Sequence, residues 1–129
     1  MKRRQKGIIG GALAVVLMLA VSMGVYAAGV GCNESYGLRQ LSNVPESSWV
    51  KQVNYAFIAD SATVTATCTQ DTTSGASVIV GISGGAAFLN QKGTTYVQTV
   101  VVGSPIAVIV KLSTPDSYNT YTGYGTIKN

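Results

Sequence analysis

The sequence contains no histidine and few charged residues. Without histidine the chain lacks the usual general base, the commonest metal ligand and every Ser-His-Asp or Cys-His arrangement. Two cysteines, Cys32 and Cys68, are too few for a tetrahedral zinc site without other ligands. The five acidic residues are scattered, and no spacing pairs any two as catalytic carboxylates. We therefore expect neither an enzyme nor a protein with a resident metal or cofactor.

The excess of basic residues lies at the amino terminus. The formal net charge is +4, and a cluster within residues 1–6 supplies it, because the rest of the chain holds five basic and five acidic residues. A neutral remainder offers no basic surface to nucleic acid, so no nucleic-acid partner is expected. A basic cluster directly before an apolar stretch is instead typical of a cytoplasmic flank that orients a membrane segment.

The uncharged stretch of residues 8–31 is predicted to form a hydrophobic helix for membrane insertion or assembly. From Ile8 to Val30 there are 23 residues, which as a helix would extend about 34 Å and span a hydrocarbon core of roughly 30 Å. Small residues interrupt the large ones and would let neighbouring helices approach closely. The candidate helix-packing residues are Gly10, Gly11, Ala14, Leu17, Ala20 and Gly24.

Beyond this stretch the hydrophobic pattern changes to the period of a β-strand. Residues 32–48 are polar and include Pro45, so they are interpreted as a connector to the rest of a β domain over 32–129. In residues 61–69 apolar residues alternate with threonines, as in a strand with one apolar and one hydroxyl face. The predicted strands are residues 49–59, 61–69, 76–83, 94–102, 105–113 and 118–127. The fold class expected is α+β, with a long N-terminal helix followed by a small antiparallel sandwich or barrel.

Two further features follow if the β domain is exported. Both cysteines lie beyond the apolar stretch, and an even pair in an exported chain favours a Cys32–Cys68 disulfide. Asn33 begins an Asn-Glu-Ser triplet and is a candidate glycosylation site.

The start of the chain resembles the class III signal of type IV prepilins, above all the archaeal ones. The resemblance rests on the basic cluster, on Gly7 followed by Ile8, and on the apolar stretch that comes next. Bacterial pilins usually carry Phe at the first mature position and Glu at the fifth, where this chain has Ile8 and Ala12. The pattern is therefore more similar to an archaeal adhesion-type pilin.

This resemblance implies a processing route and a set of partners. A separate membrane peptidase would remove residues 1–7 by cutting after Gly7, leaving Ile8 as the first mature residue. The membrane-inserted precursor would then join copies of itself, with the help of pilus assembly machinery, in an extracellular filament at the cell surface. The implied function is that of a structural filament subunit.

Three other interpretations of the start of the chain stay open. A Sec-type signal cut after Ala27 would release a β-sandwich surface protein, which could be an adhesin or a fibre subunit that lends a strand to its neighbour. Gly29 to Cys32 faintly resembles a lipobox, which would make Cys32 a lipidated residue. Arg3 and Arg4 resemble the twin arginines of a Tat signal.

The first prediction concerns the mature amino terminus. If residues 8–31 are retained, N-terminal sequencing and intact mass of the protein from its native cells should give a chain that begins at Ile8. A chain that begins at Ala28 would show that the apolar stretch is discarded. A lipidated Cys32 would show a membrane-anchored lipoprotein.

Overall fold

A computed structural model describes residues 30–129. This part of the chain forms eight β-strands and one short 3₁₀ turn, Glu46–Ser48, between the first two strands. The strands are β1 (Asn33–Gln40), β2 (Gln52–Ile58), β3 (Thr63–Gln70), β4 (Ser77–Ile82), β5 (Gly85–Phe88), β6 (Thr95–Thr99), β7 (Pro105–Ser113) and β8 (Tyr121–Lys128).

The strands form two four-stranded antiparallel sheets. Sheet I has the order β1-β8-β3-β6, and sheet II has the order β2-β7-β4-β5. Each sheet therefore alternates strands from the two ends of the chain, so that β8 lies between β1 and β3, and β7 lies between β2 and β4. Two sheets built this way from eight strands are a jelly roll, an arrangement of two Greek keys.

The core lies between the inner faces of the two sheets. Along β7 every second residue, from Ile106 to Leu112, is buried, while the residues between them face outward. In β3 Val64, Ala66 and Cys68 point inward and the threonines between them line the outer face of sheet I. The alternation read from the sequence is confirmed in both strands, because one face of each sheet must be shielded from water.

The predicted α+β class is wrong. The described chain is all-β, and it contains no helix long and apolar enough to span a membrane. The long helix was expected over residues 8–31, of which residues 8–29 lie outside the described part. Within the described part, residues 30 and 31 carry a parallel bridge to Ile58 and a bend.

Two strands were missed in segments interpreted as loops. The connector expected over 32–48 contains β1, which places Tyr36, Leu38 and Gln40 in the core although its sequence is mostly polar. Strand β5 lies within a glycine-rich stretch read as a turn. Both are edge strands, and an edge strand can be short or polar because one side of it needs no partner in the sheet.

A close approach of three strands in sheet I requires glycine at position 125. In the register of the sheet, Gly125 of β8 lies opposite Tyr36 of β1 on one side and Cys68 of β3 on the other. A β-carbon at Gly125 would collide with the Tyr36 hydroxyl and with the Thr67 carbonyl oxygen. The Tyr36 ring occupies the space that a side chain on β8 would need, and burial raises the pKa of its hydroxyl to about 12.

We predict that Gly125→Ala destabilises the domain by about 1–3 kcal/mol, since overpacking displaces either the tyrosine or the β3 backbone. The measurement is urea unfolding at neutral pH. Gly81→Ala in β4 is the matched control, because a β-carbon there would meet its nearest atom at 3.8 Å, an ordinary contact. Equal midpoints for the two variants would contradict the steric explanation.

Candidate functional site

The processing and packing residues predicted from the sequence lie outside the described part of the chain. They are Gly7, Ile8, Gly10, Gly11, Ala14, Leu17, Ala20 and Gly24. The structure therefore bears on the place where this segment joins the sandwich. That junction, around Val30 and Gly31, is the candidate functional site.

Both cysteines are free thiols, so the predicted disulfide is absent from this structure. Cys68 pairs with Gly125 in β8, whereas the Cys32 carbonyl accepts a hydrogen bond from the Asn129 backbone at the far end of the same strand. The two cysteines are therefore four residues apart along the strand direction and two strand spacings apart across sheet I. These offsets separate the α-carbons of Cys32 and Cys68 by roughly 16 Å. A disulfide needs its α-carbons within about 7 Å.

The environments of the two thiols make both of them weak nucleophiles. Burial raises the pKa of Cys32 to about 11, and Glu34 adds to the effect. Burial also raises the pKa of Cys68, which donates a hydrogen bond to the Gln70 carbonyl oxygen at 3.0 Å. Since the thiolate is the reactive form, neither position resembles a catalytic cysteine.

Asn33, the candidate glycosylation site, is exposed at the start of edge strand β1. It pairs with Lys128 in β8, which leaves its other side facing away from sheet I. This position is sterically accessible to a glycan, and modification of Asn33 stays a prediction.

At one end of the sandwich a polar network ties the end of β1 to the β7–β8 loop. The fully buried Gln40 side chain donates to the carbonyl oxygens of Asp116 and Asn119 at 3.0 and 2.8 Å. Its oxygen accepts hydrogen bonds from Lys51 and Thr114. All the polar atoms of this amide are used internally, so the network is structural and offers no group to a ligand.

Asp116 organises the β7–β8 loop at that end. Its carboxylate accepts hydrogen bonds from the backbone amides of Tyr118 and Asn119 and, at 2.7 Å, from the Tyr121 hydroxyl. These bonds, the one from Tyr121 above all, lower the pKa of Asp116 to about 2. Because its hydrogen bonds stay within its own loop, the Asp116 carboxylate stabilises this turn.

The acidic residues do not assemble into a metal site in the part of the chain that the structure describes. Over residues 30–129 no group of three or more His, Cys, Asp or Glu residues could hold a metal ion. Asp71, for example, accepts a hydrogen bond at 2.7 Å from the Lys92 backbone amide and closes a loop.

The opposite end of the sandwich is where the preceding segment joins. Val30 forms a parallel bridge to Ile58 at the end of β2, and the Gly31 amide donates to the Ile58 carbonyl at 2.8 Å. Gly31 then turns with a φ of 73°, a conformation that favours glycine, and the chain passes over to β1 in the other sheet. The segment before Val30 is thus attached at the β2 edge of sheet II.

A groove of about 460 Å³ lies between the edge strands beside this junction. Strands β1 and β2 are the edges of sheets I and II on the same side of the sandwich. The lining residues come from the junction, from both strands and from the chain end at Asn129; they are Val30, Gly31, Cys32, Asn33, Glu34, Tyr55, Ala56, Phe57, Asp60 and Asn129.

Exposed valines lie on both sides of the end of β2 beside this junction. Val30 is 69% exposed, and the β6–β7 loop presents Val101 and Val102, which are 74% and 59% exposed. This loop is joined to the end of β2 by the Gly103 amide, which donates to the Ala59 carbonyl at 2.8 Å, one residue beyond Ile58. We call Val30, Val101 and Val102 the valine tip.

Comparison with known proteins adds no assignment. No protein-family model matches the chain, and no curated protein is significantly similar to it.

The valine tip and the groove were not found from the sequence. The run Val100 to Val102 was interpreted as the end of a strand, whereas β6 ends at Thr99 and the next residues form a loop. The sequence did contain a signal for an exposed apolar loop, namely three valines directly before Gly103 and Ser104. An apolar run that extends into a turn is unusual unless its side chains contact another surface.

We predict that the stability difference between the wild-type protein and Asp116→Asn depends on pH. A carboxyl group whose pKa is lower in the folded than in the unfolded state stabilises the fold above its unfolded pKa. The advantage of the wild type should be constant above about pH 5 and shrink as the pH falls from about 4 to 2, as urea unfolding would show. A stability difference that does not change over this pH range would contradict the lowered pKa of Asp116.

In the Tyr121→Phe protein, an NMR titration should show the pKa of Asp116 moved upward.

Proposed function

We propose that the protein is a structural subunit of an extracellular filament at the cell surface. Copies of the chain assemble with one another through the apolar segment of residues 8–29, and the jelly roll faces solvent. The partners are other copies of the same chain, a prepilin peptidase and a pilus assembly machinery, with the membrane as the location of the precursor before assembly.

The observation that carries this proposal is the position of the junction. Val30 is attached at an edge strand and is 69% exposed, so the point of attachment of residues 8–29 lies at the rim of the sandwich. The two sheets already bury their inner faces against each other. An uncharged, apolar segment joined at the rim has its own surface to bury, in lipid before assembly and against other copies afterwards.

The character of the domain supports the same function. Its outer sheet I surface carries Thr63, Thr65 and Thr67 of β3, and its charged residues are balanced in sign. The chain has no histidine, and its thiols are poor nucleophiles. A polar, neutral domain attached to an apolar segment fits a filament coat better than a catalyst or a nucleic-acid binder.

The start of the chain gives the processing step of the proposal. The resemblance to class III signals places the cut between Gly7 and Ile8, so that the basic cluster is removed and the apolar segment is kept. Loss of four positive charges at this step would remove the residues least compatible with an apolar assembly.

We predict that Leu17→Asp abolishes assembly while the jelly roll stays folded. A carboxylate in an apolar environment costs about 3 kcal/mol, which weakens association on the order of 100-fold for each segment. Filaments are counted by electron microscopy, and the fold is followed by circular dichroism. Leu17→Met is the matched control because it keeps an apolar side chain of similar volume. Filaments of normal number and length with Asp at position 17 would refute the proposal.

A second candidate is a secreted β-sandwich subunit that lends a strand to its neighbour. The groove beside edge strands β1 and β2 favours it, since exposed edges accept an additional strand through backbone hydrogen bonds. This candidate requires release after Ala27, so a mature chain that begins at Ala28 and still forms fibres would select it.

A further inference from the structure

The valine tip is an unusual surface for a turn. Val101 and Val102 occupy a loop that is closed by the Ser104 amide, which donates to the Val101 carbonyl at 3.1 Å, and by Gly103 with a φ of 86°. Turn positions of this kind normally carry polar residues, because they face water. Here two large apolar side chains are mostly exposed at adjacent positions, with a third at Val30.

The tip adjoins the apolar segment at Val30. Val30 is covalently attached to residue 29, and the other two valines lie on a loop that is hydrogen-bonded to the strand end beside Val30. A partner that contacts Val30 therefore lies close to the end of β2, to which the loop of Val101 and Val102 is also bonded. The 22 residues 8–29 carry no charge and are mostly apolar, and an apolar segment of this kind is stabilised by burial in lipid or against other apolar surfaces.

The charges beside the tip favour protein over an anionic bilayer as the surroundings of this segment. Two acidic side chains, Glu34 and Asp60, line the groove beside the junction, and Lys128 pairs with the lining residue Asn33. Two acids and one base give no attraction to a negatively charged membrane surface, which instead binds clusters of Lys and Arg.

We propose that the valine tip is the docking surface for the apolar segment of a second copy of this chain. The inference rests on the proposed filament function and adds the contact that seats each jelly roll on the segments of its neighbours. Val101 and Val102 pack against residues 8–29 of that copy, and Val30 continues the same apolar surface. Burial of these valines would hold each domain in one orientation relative to the filament.

The test replaces Val101 and Val102 by Lys in the full-length chain. The assembled fraction should fall at least tenfold, with an unchanged melting temperature and an unchanged mature amino terminus. The matched control is Val97→Lys, which changes a valine that is 54% exposed on the outer face of edge strand β6, away from the junction. This control should assemble like the wild type. Normal assembly of the Val101→Lys, Val102→Lys chain would overturn the docking surface and leave the filament function intact.

A second measurement does not depend on a lysine variant that folds. A photo-crosslinking amino acid at position 102 is placed in one isotopically labelled population of full-length chain, which is then co-assembled with an unlabelled one. Crosslinks from position 102 to residues 8–29 of the other population support the proposal. Crosslinks only to lipid, only within one copy or only to another jelly roll overturn it. A wild-type chain that stays monomeric overturns both this contact and the filament function.

Discussion

The structure depends on the insertion of late strands between early ones. Strand β8 pairs with β1 and β3, and β7 pairs with β2 and β4, so neither sheet can close until the end of the chain has been placed. Each insertion buries one face of a strand against the opposite sheet and satisfies its backbone groups on both edges. The remaining features, including the close approach at Gly125 and the polar network at Gln40, depend on this pairing.

The two ends of the sandwich differ in the side chains that they carry. At one end Gln40, Lys51, Thr114 and Asp116 satisfy one another, and the loops close on themselves. At the other end the chain joins at an edge strand beside exposed valines and a groove. Polar groups that are fully paired need no partner, whereas apolar surface beside an apolar segment gains free energy when it is covered. This asymmetry is the physical reason why the proposed assembly is assigned to the junction end of the sandwich.

Much of the sandwich could be predicted from the sequence, and the exceptions have a common cause. Six strands carried an alternating or continuous apolar pattern, and all six are present near the predicted positions. The two strands that were missed are β1 and β5. In β1 the three inward residues, Tyr36, Leu38 and Gln40, stand among polar and glycine residues, and β5 has only four residues. The expected disulfide is not seen in the structure, because the number of cysteines and the expected export do not report distance, and the register of β1 and β3 on β8 separates the two thiols.

The sequence by itself determined the chemistry: a neutral β domain without histidine, a basic start, and a long uncharged segment that follows it. Composition and local periodicity suffice for these features because each depends on neighbours along the chain. Only the tertiary structure decided the jelly-roll order, the separation of the thiols, and the attachment of both Val30 and the loop of Val101 and Val102 to the end of β2. These depend on pairings between residues distant in the sequence, such as Asn33 with Lys128, which are fixed by how the two sheets bury a shared core.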